Sequence, residues 1–360
     1  MNLRATARFC FPLLLLACGS EDASGAAGGD GTLGQSGPPG AAGPVGATGS
    51  GAAGAPGADG AFAVYGNGSA GAKTVAAELT LNEANTQYTD FTVNVGTTLY
   101  VPSGTTIRAT GTFTNKGAII AYGGATGWVL PGGEWFLDNG MAATGAWAGS
   151  GTVGNATATR SGNAGGRGRT DYGAMFLLSP PLKAGGAGGN GYLCSYPNVG
   201  GGSVRIVAKG AFTNGGAIRA DGGASGCGNG SGNGGGGGGM IILASQTSIV
   251  STGAISASGG EGQPSDGHNG PGGGGGGGLI HLLAPTVTEG TLTPAGGVAG
   301  AVGATITAGS DRSGGSGGGG SIGHGGRGGD VQTTGVPSAA EAGQVGVSYV
   351  TRTDPTSLLL

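Results

Sequence analysis

The sequence contains little charge and few aromatic residues. Charged residues make up 9% of the 360-residue chain and aromatic residues 5%. Chains that stay disordered in water usually carry more charge than this, so the scarcity argues against a long disordered protein. The formal net charge of −3 gives no basis for nucleic-acid binding, which needs a basic surface. Glycine fills the chain instead, with 93 residues, and the periodicity of the glycine-rich segments decides how they are interpreted.

The first 17 residues have the pattern of an export signal. Arg4 and Arg8 precede a short apolar run, and Ala17 then places a small residue directly before Cys18. The apolar run is too short to span a bilayer permanently. The pattern resembles the lipobox of bacterial lipoproteins. The resemblance implies signal removal after residue 17, lipidation of Cys18, a lipidated tether over residues 18–24 and a membrane partner for the acyl chains.

The residues after Cys18 bear on localisation. Gly19 and Ser20 follow the cysteine, so the aspartate that retains many such lipoproteins in the inner membrane is lacking. The same resemblance therefore implies the outer membrane or the cell surface.

Residues 25–60 read as Gly-X-Y triplets with one short step at Gly49-Ser50. Glycine at every third position is what three chains wound about one axis require. The segment resembles bacterial collagen-like stalks, but it contains only four prolines, Pro38, Pro39, Pro44 and Pro56. A homotrimeric triple helix and a monomeric extended tether both stay open. Either form gives a spacer that reaches up to about 110 Å.

Internal repeats begin after the stalk. The segment 111–127 matches the segment 210–226 at 12 of 17 positions, and degenerate copies place Ile218, Ile255 and Leu292 at a constant spacing of 37 residues. Units that cannot bury both faces alone are typical of solenoids, in which stacking completes the core.

Short apolar runs bounded by glycine accompany the repeats and predict strands at Val204–Ala208, Met240–Ala244, Leu279–Ala284 and Val345–Val350. The alternating segment 91–115 is predicted to form the first rungs. These rungs resemble those of parallel β-helix proteins on bacterial surfaces. We therefore expect an all-β, glycine-rich β-solenoid over residues 61–350, followed by a C-terminal tail over residues 351–360.

Three glycine runs lie just before or between the predicted strands: Gly234–Gly239, Gly272–Gly278 and Gly317–Gly320. No lysine-serine or lysine-threonine pair follows a run, which argues against a phosphate loop. Two interpretations stay open. The runs are either flexible linkers or extended three-fold threads packed side by side, resembling the glycine-rich tips of some phage adhesins and springtail antifreeze proteins.

Cys194 and Cys227 are the two cysteines left outside the N-terminal region. In an oxidising compartment two lone cysteines more often form a disulfide than a metal site, and no histidine or further cysteine stands at ligand spacing. We predict a Cys194–Cys227 disulfide and no metal or cofactor.

The first two clear repeats are 99 residues apart, whereas the later copies are 37 residues apart. The longer spacing predicts an insertion at about residues 128–199. Long insertions on a solenoid usually map to one face, and aromatic and arginine side chains dominate recognition surfaces. A small local core is the alternative role for its tryptophans. The candidate binding residues are Trp128, Trp135, Trp147, Tyr172, Arg167 and Arg169.

These features predict a lipid-anchored surface protein with a structural or adhesive role, which binds a glycan or an envelope or matrix component and is not an enzyme. A polysaccharide-processing β-helix is the alternative, although the acidic residues are thinly scattered and pairs such as Glu134 with Asp138 suit turns. An ice-binding or matrix-packing surface made from flat glycine faces is a third possibility.

Overall fold

The computed structural model describes residues 64–122, 168, 185–186, 198–224, 232–265, 270–303, 317–329 and 338–359, and the backbone of two strands at 128–129 and 135–136. Eighteen of the described strands are organised in six successive rungs of three strands each, and the two remaining strands form a separate pair. In chain order the strands are β1 (Lys73–Val75), β2 (Leu79–Thr80), β3 (Gln87–Tyr88), β4 (Phe91–Val93), β5 (Thr98–Pro102), β6 (Thr105–Ala109), β7 (Phe113–Asn115), β8 (Ala118–Tyr122), β9 (Trp128–Val129), β10 (Trp135–Phe136), β11 (Ser203–Ala208), β12 (Phe212–Asn214), β13 (Ala217–Arg219), β14 (Met240–Ser245), β15 (Ser248–Ser251), β16 (Ala254–Ser256), β17 (Leu279–Leu283), β18 (Thr286–Thr288), β19 (Leu292–Thr293) and β20 (Val347–Thr351).

Three parallel six-stranded sheets are built from these rungs. Sheet A has the order β1-β4-β7-β12-β15-β18, sheet B the order β2-β5-β8-β13-β16-β19, and sheet C the order β3-β6-β11-β14-β17-β20. Each strand therefore pairs with its counterparts in the rungs before and after it. The protein is all-β, and this arrangement is compatible with the predicted β-solenoid.

The strand register confirms the repeats found in the sequence. Ile218 lies opposite Ile255, and Ile255 lies opposite Leu292, as their 37-residue spacing predicts. Phe113 lies opposite Phe212 across the 99-residue interval. The four apolar runs predicted as strands are confirmed by β11, β14, β17 and β20, and the predicted first rungs by β4 to β7.

One hydrophobic core runs along the inside of the three sheets. Because successive side chains of a strand point to opposite faces, alternate residues of each strand face inward and stack on their counterparts in neighbouring rungs. Phe91, Phe113 and Phe212 form such a stack, with ring centroids 5.1 and 5.0 Å apart and nearly parallel planes. Ile249 and Val287 continue the column in the last two rungs.

A buried polar column lies beside the phenylalanine stack, where sheet A turns toward sheet B. Val75 and Val93 occupy this position in the first two rungs, and Asn115, Asn214 and Ser251 occupy it in the next three. The three polar residues are at most 1% exposed. Hydrogen bonds along the column satisfy them, as burial of amides requires.

The outer face of sheet C is covered by a second apolar cluster, in addition to the core on its inner face. The outward-facing residues Met240, Ile242 and Leu283 belong to this buried cluster, which includes Val64 and Tyr65 from the start of the described chain. The 3-10 turn Thr356–Leu358 brings Leu358 against the same cluster. Part of the segment predicted as a C-terminal tail thus packs on sheet C.

Candidate functional surface

The structure describes only part of the predicted binding insertion. β9 and β10 form an antiparallel pair in which Trp128 lies opposite Phe136 and Trp135 lies opposite Val129. The backbone therefore brings two of the candidate tryptophans to neighbouring strands. The other candidates, together with the predicted lipidation site and disulfide, lie outside the described residues: Trp147, Tyr172, Arg167, Arg169, Cys18, Cys194 and Cys227.

Two acidic side chains in the described part of the chain, Asp90 and Asp221, bond to residues of neighbouring rungs. The carboxylate of Asp90 accepts hydrogen bonds from the amide and hydroxyl of Thr112 at 2.7 and 2.8 Å, and these bonds lower the pKa of Asp90. Asp221 accepts the amide of Ser258 at 2.7 Å. Among the described residues no group of three or more His, Cys, Asp or Glu side chains is placed to hold a metal ion.

Glycine segments lie between the sheet B and sheet C strands of the last four rungs and pack against one another. The amides of Gly235, Gly236, Gly237 and Gly238 donate in turn to the carbonyls of Gly273, Gly223, Gly186 and Gly276, at 2.8 to 3.1 Å. Gly235 and Gly238 share a neighbouring segment, whereas the two residues between them each bond elsewhere. This period of three is the bonding expected of extended threads with neighbours on three sides.

These threads exclude water from their backbone. Residues 232–239 and 271–278 are buried, although most of them have no side chain. Buried backbone amides and carbonyls must find partners, and here the partners are the backbones of neighbouring threads. Of the two open interpretations, the described glycine segments therefore favour packed threads over flexible linkers.

Close approach explains why glycine is needed in the threads. A Cβ added at Gly237 would lie closer than 3.0 Å to the backbone of Gly319, and one added at Gly236 would meet the backbone of Val199 in the same way. Neither residue has a positive φ. The requirement at these positions is thus one of space, in contrast to Gly96 (φ 73°) and Gly104 (φ 89°), which occupy the left-handed region.

A buried histidine lies under the apolar cover of sheet C. His281 of β17 is 1% exposed, and its Nε2 lies 2.9 Å from the hydroxyl oxygen of Thr351. Its ring meets the ring of Tyr349 edge-on at 5.8 Å. Burial lowers the pKa of His281 to about 4, so the imidazole is neutral at pH 7.

The two ends of the described chain meet on sheet C. The hydroxyl of Tyr65 lies 2.9 Å from the hydroxyl of Thr356, 291 residues later. Tyr65 is 1% exposed, and burial raises its pKa to about 12. The segment that follows the predicted stalk is therefore held against the C-terminal segment.

An ordered row of small side chains lies on the outer face of sheet A. Each strand of sheet A has an outward-facing residue directly beside an inward-facing one, and pairing of the strands places these outward residues in one column. We call this column the threonine ladder; its members are Thr74, Thr92, Thr114, Thr213, Val250 and Thr288. Four members are exposed, and Thr92 and Thr114 are half-buried.

The corresponding outward column of sheet B is mixed. It consists of Thr80, Tyr100, Ile120, Arg219, Ser256 and Thr293. Sequence reasoning did not find the threonine ladder, although the repeated Phe-Thr-Asn triplets at 113–115 and 212–214 contain two of its members. Thr92 follows Phe91 in the same way, but Thr74, Val250 and Thr288 do not follow a phenylalanine. The whole column therefore becomes visible only when the strands are in register.

Comparison of the chain with protein-family models, with curated proteins and with solved structures finds no match. In the part of the chain that the structure describes, no helix has the length and apolar character needed to cross a membrane.

Proposed function

We propose that the protein is a lipid-anchored cell-surface protein that displays a β-solenoid on an extended stalk and has a structural or adhesive role. The docking of Tyr65 on sheet C is the observation that supports this proposal most. Tyr65 follows the predicted stalk closely and bonds to Thr356 near the other end of the chain. Force applied along the stalk would therefore act first on the Tyr65–Thr356 contact, before it could separate the first rung from the second.

The packing of the domain suits display at a surface. Parallel pairing joins all six rungs, and the glycine threads add a second bonded layer beside the sheets. A body held in this way keeps its outer faces in fixed positions, which a binding surface requires. We place glycan or envelope binding on the insertion between β8 and β11, where β9 and β10 bring Trp128 and Trp135 to neighbouring strands.

Anchoring is tested by comparing Cys18→Ser with Cys10→Ser. Cys10 lies inside the apolar run of the predicted signal, so its replacement controls for a general effect on export. We expect Cys18→Ser to move the protein from the membrane fraction to the soluble fraction, and Cys10→Ser to leave it with the membrane. Membrane association that survives Cys18→Ser would contradict lipid anchoring.

Binding is tested with Trp135→Ala combined with Trp147→Ala. The control is Tyr100→Ala, which removes an aromatic side chain from the outer face of sheet B. We expect the double variant to lose retention on isolated envelope polysaccharide while its melting temperature and that of the control stay close to the parent value. Equal retention of both variants would place the binding surface elsewhere.

A further inference from the structure

The threonine ladder is the most regular surface in the described part of the chain. Its six members follow the rung spacing of about 4.8 Å, so the column extends over roughly 24 Å. Thr and Val are both β-branched and stiff at χ1, which holds their methyl and hydroxyl groups in repeated positions. Val250 keeps the branched shape of threonine and replaces one hydroxyl by a methyl group.

Strand propensity alone does not account for the ladder. Threonine is favoured on the outer face of any strand, and sheet B experiences the same preference. The outward column of sheet B nevertheless contains Tyr100, Ile120 and Arg219 among its six members. Uniform small side chains are therefore a property of sheet A, and they leave its face flat.

The chemistry of the ladder limits what it can bind. The column contains no charged residue, so it offers nothing to an ionic mineral or a polyanion. Charged residues lie only at flanking positions: Lys73, Asp90, Lys116 and Glu289. It contains no aromatic ring that would stack on a sugar. Each hydroxyl contributes little by itself, about 0.5–1.5 kcal/mol per hydrogen bond. A ligand gains from the ladder only if it repeats at the rung spacing and meets many members at once.

We infer that the threonine ladder is an ice-binding surface. Ice is a neutral lattice whose rows of oxygen atoms repeat at a spacing close to that of the rungs. The hydroxyl groups bond to first-shell water, and the methyl groups restrict the orientation of the water between them. The ladder thus holds a row of water molecules at the rung spacing, and this row can join the oxygen rows of a growing ice face. This site is separate from the glycan surface proposed on the insertion.

The test compares Thr213→Tyr with Arg219→Tyr in the purified full chain. Thr213 and Arg219 are both exposed and lie in the same rung, on sheet A and sheet B respectively. The measurements are thermal hysteresis and partitioning of the protein into a slowly grown ice hemisphere. We expect the parent and Arg219→Tyr to bind ice, and Thr213→Tyr to lose most of the hysteresis because its ring breaks the flat face.

Three results would overturn the inference: a parent chain that shows neither hysteresis nor partitioning into ice, equal loss in the two variants, or retention on crystalline cellulose or chitin that Thr213→Tyr abolishes without ice binding in the parent. Circular dichroism of both variants establishes that a loss does not come from unfolding. Anchoring by Cys18 and retention on envelope polysaccharide are measured separately, so failure of ice binding leaves the proposed function intact.

Discussion

Asn115 donates a hydrogen bond from Nδ2 to Oδ1 of Asn214 at 2.8 Å, although the two residues are 99 positions apart in the chain. Both side chains are fully buried, and Asn214 in turn donates to the hydroxyl of Ser251 at 3.0 Å. Three successive rungs are therefore linked by one row of side-chain hydrogen bonds inside the core.

Replacement of Asn214 by alanine should destabilise the stacked sheets strongly. The substitution removes an acceptor of Asn115 and the donor to Ser251, and each buried group left unsatisfied costs about 1–3 kcal/mol. Thr213→Ala, one residue away on the outer face, is the control and should change stability by no more than about 0.5 kcal/mol. Chemical denaturation of both variants measures the difference. Similar midpoints would show that the buried row contributes no stability.

Alanine at Gly237 should disturb the packed threads. Its Cβ would overlap the backbone of Gly319, and overpacking of this kind typically costs about 1–3 kcal/mol. Gly215→Ala is a matched control because the nearest atoms to a Cβ there are 3.9 and 4.0 Å away and its φ is not positive. Amide hydrogen exchange should show faster exchange at Gly235 to Gly238 in Gly237→Ala only. Equal protection in both variants would argue against close packing of the threads.

The stability of the domain should rise with pH between about 4 and 6.5 because of His281. Burial lowers the pKa of the folded-state imidazole from 6.5 to about 4, so within this window the unfolded chain binds a proton that the folded chain does not. The full effect is on the order of 3 kcal/mol, present above pH 6.5 and lost as the pH falls toward 4.

His281→Gln should flatten this part of the stability profile. The glutamine cannot titrate, whereas His324→Gln, the control, leaves the buried imidazole in place. Melting temperatures of the parent and both variants from pH 4 to pH 8 measure the effect. If the pH dependence of the melting temperature persists in His281→Gln, His281 is not its source. If it also disappears in His324→Gln, His324 is the source.

Local patterns predicted much of the fold. The runs at Val204–Ala208 and Met240–Ala244 were recognisable as strands because short apolar, β-branched runs bounded by glycine are typical of strands. The 37-residue spacing of Ile218, Ile255 and Leu292 predicted which residues face each other, since stacked rungs place equivalent positions in register. Periodicity could not predict the secondary structure of the insertion at about 128–199, because its residues do not repeat.

The candidate surfaces depended on contacts that no local pattern encodes. The docking of Tyr65 against Thr356 joins residues near opposite ends of the domain, and no spacing rule connects them. The threonine ladder likewise needed the register of six strands before Thr74 and Thr288 could be seen as members of one column. The prediction of tryptophans as a binding surface stays a prediction.

The amino-acid order alone was enough to specify rungs, because alternation within each strand and repetition between strands are properties of neighbouring residues and of a fixed period. It did not specify the partners of the glycine threads. Gly237 bonds to Gly186 and Gly201, which both precede β11 but lie 15 residues apart, and identical glycines offer no side chain by which one partner could be told from another. Folding selects those partners because the stacked sheets bring particular backbones within reach, and only there does the missing Cβ allow them to meet.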